Sequence, residues 1–168
     1  MLIFLLGYMG SGKSLTGMKL AEMLHYRFLD MDEMIEISSG YSIAYYFENF
    51  GEASFRQRER ELLLSHLHDQ DTVIACGGGT PCFEDNIDLM NKSGIAVFLD
   101  TSVDVILERI RDKILSRPLL SKIPPDKLPE FIRRHLKERR FFYEQAKIIV
   151  EKNDVDLILR KLSGLVTF

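Results

Sequence analysis

Eight consecutive residues near the start of the chain carry the clearest chemical signal. Residues 7–14 read Gly-Tyr-Met-Gly-Ser-Gly-Lys-Ser and fit the phosphate-loop (P-loop) pattern G-x-x-x-x-G-K-[ST] in full. Glycines let the backbone curl so that N–H groups point at phosphate oxygens, and the helix that follows adds the positive end of its dipole. Lys13 would place a positive charge at the β- and γ-phosphates, and the Ser14 hydroxyl would ligate Mg²⁺. An apolar run precedes the motif and a helical stretch follows it, so the motif predicts nucleotide binding rather than a chance glycine-rich turn.

Two carboxylates, Asp30 and Asp32, follow a second, shorter apolar run. In open α/β sheets, ligands collect at the carboxyl ends of strands. One carboxylate there would reach the shell of Mg²⁺, and the other would accept the proton of an attacking hydroxyl. Either could instead cap the helix that begins near Glu33; beside a P-loop, the pair favours the chemical role. Asp100 is a rival metal ligand, although the sequence Asp-Thr-Ser predicts that it caps the next helix.

Three successive glycines, Gly77, Gly78 and Gly79, follow the apolar run 72–75. A flexible tight turn is one explanation. The other is that bare backbone comes close to a ligand at the carboxyl end of a strand. Three glycines exceed what a structural turn needs, so we favour the second explanation.

Three arginines stand in distinctive contexts. Arg56 ends the run Gly-Glu-Ala-Ser-Phe-Arg, Arg117 precedes Pro-Leu-Leu, and Arg139 lies in a basic stretch four residues before Tyr143. The planar fork of a guanidinium suits carboxylate and phosphate recognition. Most arginines on amphipathic helices are simply solvated, so the residues alone assign no role to any of the three.

The elements that would position these side chains follow an α/β pattern, in which short apolar runs alternate with longer stretches of helical period. Continuous apolar runs predict buried strands at residues 2–6, 72–75, 95–99 and 148–150, with 27–29 as a short fifth. Helical spacing predicts helices at residues 13–24, 52–67, 103–110, 129–143 and 155–162. Residues 38–42 predict a turn around Gly40, and the proline-rich residues 116–129 predict an exposed loop.

Composition limits the class of protein. A chain of 168 residues that is 46% hydrophobic suits one domain with a substantial core. Its net charge of −3 argues against a dedicated nucleic-acid binder, and its opening apolar run is too short to span a bilayer and lacks the marks of a signal peptide. The two cysteines, Cys76 and Cys82, match neither a disulfide framework nor a zinc pattern. We therefore expect free thiols, a cytoplasmic protein, no membrane or nucleic-acid partner, and a monomer.

Taken in order, these motifs resemble the shikimate kinase family of nucleoside-monophosphate-kinase-like enzymes over almost the whole chain. The P-loop, the D-x-D segment, Gly-Glu-x-x-Phe-Arg, the triple glycine and Arg-Pro-Leu-Leu all match the family pattern, and Arg139 with Tyr143 and Ala146 resembles its late signature. The resemblance implies a single domain, residues 1–168, with a three-layer α/β/α P-loop kinase fold. It also implies a five-stranded parallel sheet, a substrate-binding helical region at about 31–60 and a mobile lid at about 112–126.

The resemblance further implies the reaction and the residues that perform it. ATP with Mg²⁺ would phosphorylate the 3-hydroxyl of shikimate, in the biosynthesis of chorismate and aromatic amino acids. Asp32 would bind substrate hydroxyls and orient or deprotonate the 3-hydroxyl, Lys13 and Arg117 would stabilise the transferring phosphoryl group, and Asp30 would lie in the outer shell of the metal. ATP would contact Gly10, Ser11, Gly12, Lys13, Ser14, Leu15 and Arg117, the metal would contact Ser14, and shikimate would contact Asp32, Arg56, Gly77, Gly78, Gly79 and Arg139.

Departures from the family pattern leave some assignments open. Phe141 stands where the late signature usually has proline, and the stretch 152–154 lacks the proline of the usual adenine loop. Arg109 and Arg111 compete for the role of the adenine-side arginine. Two alternatives to a shikimate kinase are another small-metabolite kinase, such as a gluconate kinase, and a catalytically idle nucleotide-binding regulator.

Overall fold

A sheet of five parallel strands forms the centre of the computed structural model, which describes residues 1–111, 119–151 and 153–165. Its strands lie in the order β2-β3-β1-β4-β5. Their bounds are Leu2–Leu6 for β1, Arg27–Asp30 for β2, Thr72–Ala75 for β3, Ile95–Leu99 for β4 and Ile148–Val150 for β5. Every described pairing is parallel, as in βαβ units whose crossover helices cover the sheet.

Helices cover both faces of the sheet. In the described residues they are α1 at Lys13–Leu24, α2 at Met31–Ser39, α3 at Ile43–His66, α4 at Asn86–Ser93, α5 at Val103–Ile110, α6 at Leu128–Tyr143 and α7 at Val155–Leu165. No described helix is both long enough and apolar enough to cross a membrane.

Strand β1 shows how the layers form, because successive side chains of a strand point to opposite faces. Phe4 and Leu6 belong to one core cluster, which contains side chains of α3, α4, α5 and α6. Ile3 and Leu5 belong to the other, which contains side chains of α1 and α7. All four are fully buried, which explains the unbroken apolar run in the sequence. The predicted three-layer α/β/α fold with a five-stranded parallel sheet is confirmed.

Most predicted elements begin and end within one residue of the predicted bounds, and the larger departures are in the helices. Helix α7 ends at Leu165 rather than at residue 162. Strand β2 extends one residue further, to Asp30. Helix α3 starts at Ile43 rather than at residue 52, because an aromatic stretch without one apolar face precedes a break at Gly51. Helices α2 and α4 are short and were not predicted from periodicity.

The prediction of an exposed loop at residues 116–129 is wrong for part of that segment. Leu120 is fully buried in the same cluster as Ile110 and Ile132, and α6 already begins at Leu128. An apolar side chain in a proline-rich stretch can still fill a core position, which composition does not reveal. Residues 116–118 lie outside the described residues.

Candidate active site

The P-loop connects β1 to α1 as the sequence predicts. Gly12 stands at the N-cap of α1 with φ of 91°, a left-handed conformation that favours glycine. The Lys13 ammonium donates to the carbonyl oxygens of Gly7 at 2.9 Å and of Tyr8 at 3.0 Å. Lys13 therefore lies across its own loop, with its charge held where phosphate oxygens would enter.

A cleft of about 790 Å³ opens over the P-loop at the carboxyl ends of the strands. Among the predicted site residues that the structure describes, Ser11 alone does not line this cleft; it is fully buried beneath the P-loop. Arg117 lies outside the described residues. The other predicted residues all line the cleft: Gly10, Gly12, Lys13, Ser14, Leu15, Asp30, Asp32, Arg56, Gly77, Gly78, Gly79 and Arg139.

Asp30 combines the two roles that the sequence left open. One of its carboxylate oxygens accepts the backbone N–H of Asp32 at 3.0 Å and so caps α2. The other accepts the Ser14 hydroxyl at 2.5 Å. This second bond joins the end of β2 to the P-loop and places two hard oxygen donors side by side. Asp32 lines the cleft from the first turn of α2.

Asp100 does not stand at the N-cap of the next helix, which corrects that expectation, and as the rival metal ligand it does not line the cleft. Its two carboxylate oxygens accept from Arg140 at 2.6 and 3.1 Å, in a forked ion pair. Ser102, not Asp100, stands at the N-cap of α5. Asp100 therefore fastens α6 to the end of β4.

The triple glycine is explained by close packing with charged side chains. A Cβ on Gly77 would lie 2.0 Å from the Glu59 carboxylate, and a Cβ on Gly79 would lie 2.4 Å from the Arg56 guanidinium carbon. A Cβ on Gly78 would lie 3.3 Å from Arg139. Bare backbone is needed here because side chains from α3 and α6 converge on the turn.

Arg56 is held on the cleft wall by two carboxylates of its own helix. Its guanidinium pairs with Glu59, which is buried, and with Glu52 at 3.1 Å. Burial alone would lower the pKa of Arg56, but the carboxylates of Glu59 and Glu52 outweigh it and hold that pKa above its usual value. Glu59 also accepts the Thr80 hydroxyl at 2.7 Å, so one buried carboxylate joins α3 to the turn after β3.

Arg139 reaches the cleft from α6 and is 7% exposed. Its guanidinium carbon lies 5.7 Å from the centre of the Tyr8 ring. Tyr143, one turn further along the helix, donates its hydroxyl to the carbonyl of Gly78 at 2.5 Å. Helix α6 runs unbroken through the exposed Phe141, so the missing proline leaves Arg139 on a continuous helix.

Arg109 and Asn153 close the other end of the P-loop. Arg109 donates to the carbonyls of Gly10 and Ser11 at 3.3 and 3.1 Å, and Asn153 donates to Ser11 at 2.7 Å. Arg109 also lines the cleft, whereas Arg111 does not. Of the two candidate arginines, Arg109 is therefore the one that contacts the P-loop and the cleft.

Sequence reasoning missed Glu59 and Tyr8. Glu59 left a signal, because a carboxylate three residues after Arg56 on a helix is placed to pair with it. Tyr8 left none, because its position in the P-loop pattern is unrestricted.

The two thiols are free, as the sequence predicts. Burial raises the pKa of Cys82 to about 11, although Arg139 and Arg56 oppose the effect, and burial raises the pKa of Cys76 further. The raised pKa values favour the protonated thiols at neutral pH, and protonated thiols are poor nucleophiles.

Comparisons with known proteins agree with this geometry. The family profile described as shikimate kinase matches residues 9–161. The chain belongs to the shikimate kinase family. A shikimate kinase from Bacteroides fragilis is 43% identical over 147 residues, which cover 88% of this chain and 82% of that protein. The crystal structure of shikimate kinase from Acinetobacter baumannii in complex with shikimate is 35% identical, with a TM-score of 0.91, and the match covers 99% of this chain and 95% of that one.

One alternative activity has a weaker structural counterpart. A gluconokinase from Sinorhizobium meliloti superposes with a TM-score of 0.57 at 21% identity, covering 97% of this chain and 90% of that one. At that identity the likeness extends to the fold alone. Membership of the shikimate kinase family therefore rests on the family profile and on the relatives above 30% identity.

Proposed function

We propose that this chain transfers the γ-phosphate of ATP to the 3-hydroxyl of shikimate, giving shikimate 3-phosphate and ADP. The observation that carries the proposal is the meeting of Arg56 and Arg139 at the triple-glycine turn, in the same cleft as the P-loop and Asp32. A P-loop alone would fit many acceptors. Two guanidinium groups at one turn, that of Arg139 buried and that of Arg56 largely buried, fit an acceptor that carries a carboxylate.

The substrate carboxylate would bind between Arg56 and Arg139. Each guanidinium would give charge-assisted hydrogen bonds of about 1.5–3 kcal/mol. Arg56 already pairs with Glu52 and Glu59, so the carboxylate would take its remaining donors. A neutral polyol would form none of these charge-assisted bonds, which selects for an acid.

Asp32 would bind the 3-hydroxyl and accept its proton as the oxygen attacks the γ-phosphorus. A new P–O bond forms, the bond between the γ-phosphorus and the β–γ bridging oxygen breaks, and ADP leaves with that electron pair. Lys13 would neutralise charge on the transferring group and the leaving phosphate. The hydrogen bonds of Lys13 to Gly7 and Tyr8 support this role, because they hold the ammonium group at the P-loop.

Mg²⁺ fits the oxygens found beside the P-loop. Ser14 would ligate the ion and Asp30 would lie in its outer shell; their hydrogen bond places a hydroxyl and a carboxylate side by side. When bound with ATP, Mg²⁺ neutralises negative charge on the β- and γ-phosphates. The described residues contain no cluster of three or more metal-ligating side chains, so most of the remaining ligands would come from nucleotide and water.

The remaining assignments rest on the family resemblance. Arg117 would approach the transferring phosphoryl group from a lid at about 112–126, and residues at about 31–60 would form the substrate-binding region. Leu119, which belongs to the proposed lid, lines the cleft. This contact supports the proposal that the lid lies beside the site. We further propose a single-domain monomer that acts in the cytoplasm.

The test is a coupled ADP-release assay with ATP, Mg²⁺ and either shikimate, gluconate or no acceptor. We expect ADP release only with shikimate. Release with gluconate instead would overturn the proposed substrate, and nucleotide binding without release would point to a regulator.

Asp32→Asn tests the proton-accepting role in the same assay. We expect kcat to fall about 10²- to 10⁴-fold, because general-base catalysis contributes that much. Glu33→Gln is the matched control, since Glu33 is the neighbouring exposed carboxylate and does not line the cleft. An Asp32→Asn enzyme with the kcat of the wild type would remove Asp32 from the mechanism.

A further inference from the structure

Tyr8 is a P-loop residue whose side chain packs against the proposed carboxylate-binding arginine, Arg139. It is 1% exposed and does not line the cleft, so it does not reach the substrate space. Its ring lies beneath the Arg139 guanidinium, with the guanidinium carbon 5.7 Å from the ring centre. A cation over an aromatic face is stabilised, most strongly where water is excluded.

The hydroxyl of Tyr8 is hydrogen-bonded to Nδ1 of His135 at 2.9 Å. His135 lies on α6 one turn before Arg139. His135, which bonds to the Tyr8 hydroxyl, and Arg139, which lies over the Tyr8 ring, therefore share one face of that helix. The two rings meet edge to face, with centroids 5.5 Å apart. Tyr8 is therefore fixed at both its hydroxyl and its ring face.

The charge state of His135 suits this position. Burial, with Arg139 second, lowers its pKa to about 4, so the imidazole is neutral at physiological pH. The neutral imidazole of His135 can form a hydrogen bond with the Tyr8 hydroxyl without repelling the Arg139 guanidinium. The Tyr143 hydroxyl, one turn after Arg139 on α6, donates to the carbonyl of Gly78.

We propose that Tyr8, anchored by His135, is a positioning residue that holds the guanidinium of Arg139 for the substrate carboxylate. Through Tyr8, the loop that binds the nucleotide also helps to set the preference for an acidic acceptor. This inference rests on the proposed function, because it assigns the Arg139 guanidinium to the carboxylate of shikimate. An arginine side chain has several rotatable bonds, so fixing its direction before the substrate arrives reduces the entropy lost on binding.

The test compares shikimate with its carboxamide analogue, which lacks the negative charge, in wild-type enzyme, Tyr8→Leu and Tyr8→Phe. The measured quantity is the ratio of kcat/KM for shikimate to kcat/KM for the carboxamide. This ratio does not depend on the fraction of enzyme that is folded. For Tyr8→Leu we expect the ratio to fall about two- to thirtyfold, the range that a lost cation–π contact supplies.

Tyr8→Phe keeps the ring and removes the hydroxyl that bonds to His135, so we expect a smaller fall in the ratio. Tyr26→Leu is the control, because Tyr26 is a partly buried tyrosine that packs in the cluster on the opposite face of the sheet. Its ratio should equal that of the wild type.

A Tyr8→Leu enzyme that loses activity equally on both acceptors would overturn the inference and leave Tyr8 a structural role. If Tyr8→Leu does not fold, an unchanged ratio in Tyr8→Phe would overturn the anchoring by His135. Wild-type enzyme that is inactive on shikimate would instead overturn the proposed function, and this inference with it. The activity of the wild-type enzyme on shikimate therefore distinguishes failure of the proposed function from failure of the role of Tyr8.

Discussion

At the scale of single residues, the turn after β3 shows why glycine is required there. Gly79 has φ of −93° and ψ of −14°, which any residue adopts, so the backbone does not demand glycine. The demand comes from the Arg56 guanidinium, whose atoms occupy the space that a Cβ would take. The sequence analysis predicted that a ligand approaches this turn; in the structure the groups closest to Gly77 and Gly79 are the side chains of Glu59 and Arg56.

Gly79→Ala separates the effect on the site from the effect on folding. The added Cβ would displace the Arg56 guanidinium rather than strain the backbone, so we expect the KM for shikimate to rise about 10- to 100-fold, equivalent to one lost charge-assisted contact. Steady-state kinetics measure this change. Gly164→Ala is the control, because a Cβ there meets open space in α7 and should stabilise the helix by about 0.5–1 kcal/mol. An unchanged KM for Gly79→Ala would show that Arg56 does not contact the substrate.

At the scale of elements, helix α3 is divided by one residue. Gly51 has φ of 79° and ψ of 166°, a conformation essentially restricted to glycine. Glu52, the partner of Arg56, follows immediately. The break therefore sets the direction of the segment that carries Arg56 and Glu59 to the turn after β3.

Gly51→Asn and Gly40→Asn form a matched pair for this element. Both glycines have positive φ and open space around a Cβ, but Gly40 has ψ of 10° and caps α2 in the left-handed region that asparagine tolerates. We expect Gly51→Asn to lower the free energy of unfolding by about 1–3 kcal/mol and to raise the KM for shikimate. Gly40→Asn should change both little. Urea unfolding with kinetics measures both quantities, and equal effects at the two positions would contradict the role of the break.

Elements whose apolar residues follow one clear pattern could be predicted from the sequence. Elements whose apolar residues lie on several faces could not. β1 and β4 are unbroken apolar runs, and their bounds match the structure. The first half of α3 has aromatic residues on several faces, such as Tyr45 and Phe50, which are both about half exposed, so its periodicity is weak. The P-loop, Asp30 and Asp32 could be placed from the parallel topology, whereas the contact of Tyr8 with Arg139 depends on tertiary packing that no local pattern encodes.

At the scale of the whole molecule, the cleft depends on pieces of chain that are far apart in sequence. The P-loop, the start of α2, the second half of α3, the triple glycine and α6 meet because parallel strands bring their carboxyl ends to one edge. Folding and site assembly are therefore the same event, and a buried group at the site affects the stability of the whole chain.

His135 makes that stability depend on pH. Its pKa is about 4 in the native state and near 6.5 when unfolded, so the unfolded chain binds more protons between these values. The stabilisation by neutral His135 is complete above about pH 6.5 and is lost as the pH falls towards about 4, with a slope of at most about 1.4 kcal/mol per pH unit.

His135→Gln tests this pH dependence, because the amide can still bond to Tyr8 but does not titrate. We expect the free energy of unfolding to fall less in the variant than in the wild type between about pH 7 and about pH 5. Urea unfolding at both pH values gives the comparison. Equal losses in the two proteins would show that His135 is not the group responsible.

The packing of charged side chains against the triple glycine also limits how this chain can evolve. Any side chain at Gly77 or Gly79 collides with Glu59 or Arg56, and shortening either partner alone removes a charge from the site. A tolerated change at the turn would need two simultaneous substitutions, one on each side of the contact. Random mutagenesis of single codons should therefore find this turn nearly invariant, and libraries that vary α3 together with residues 77–79 offer the accessible route to a different acceptor.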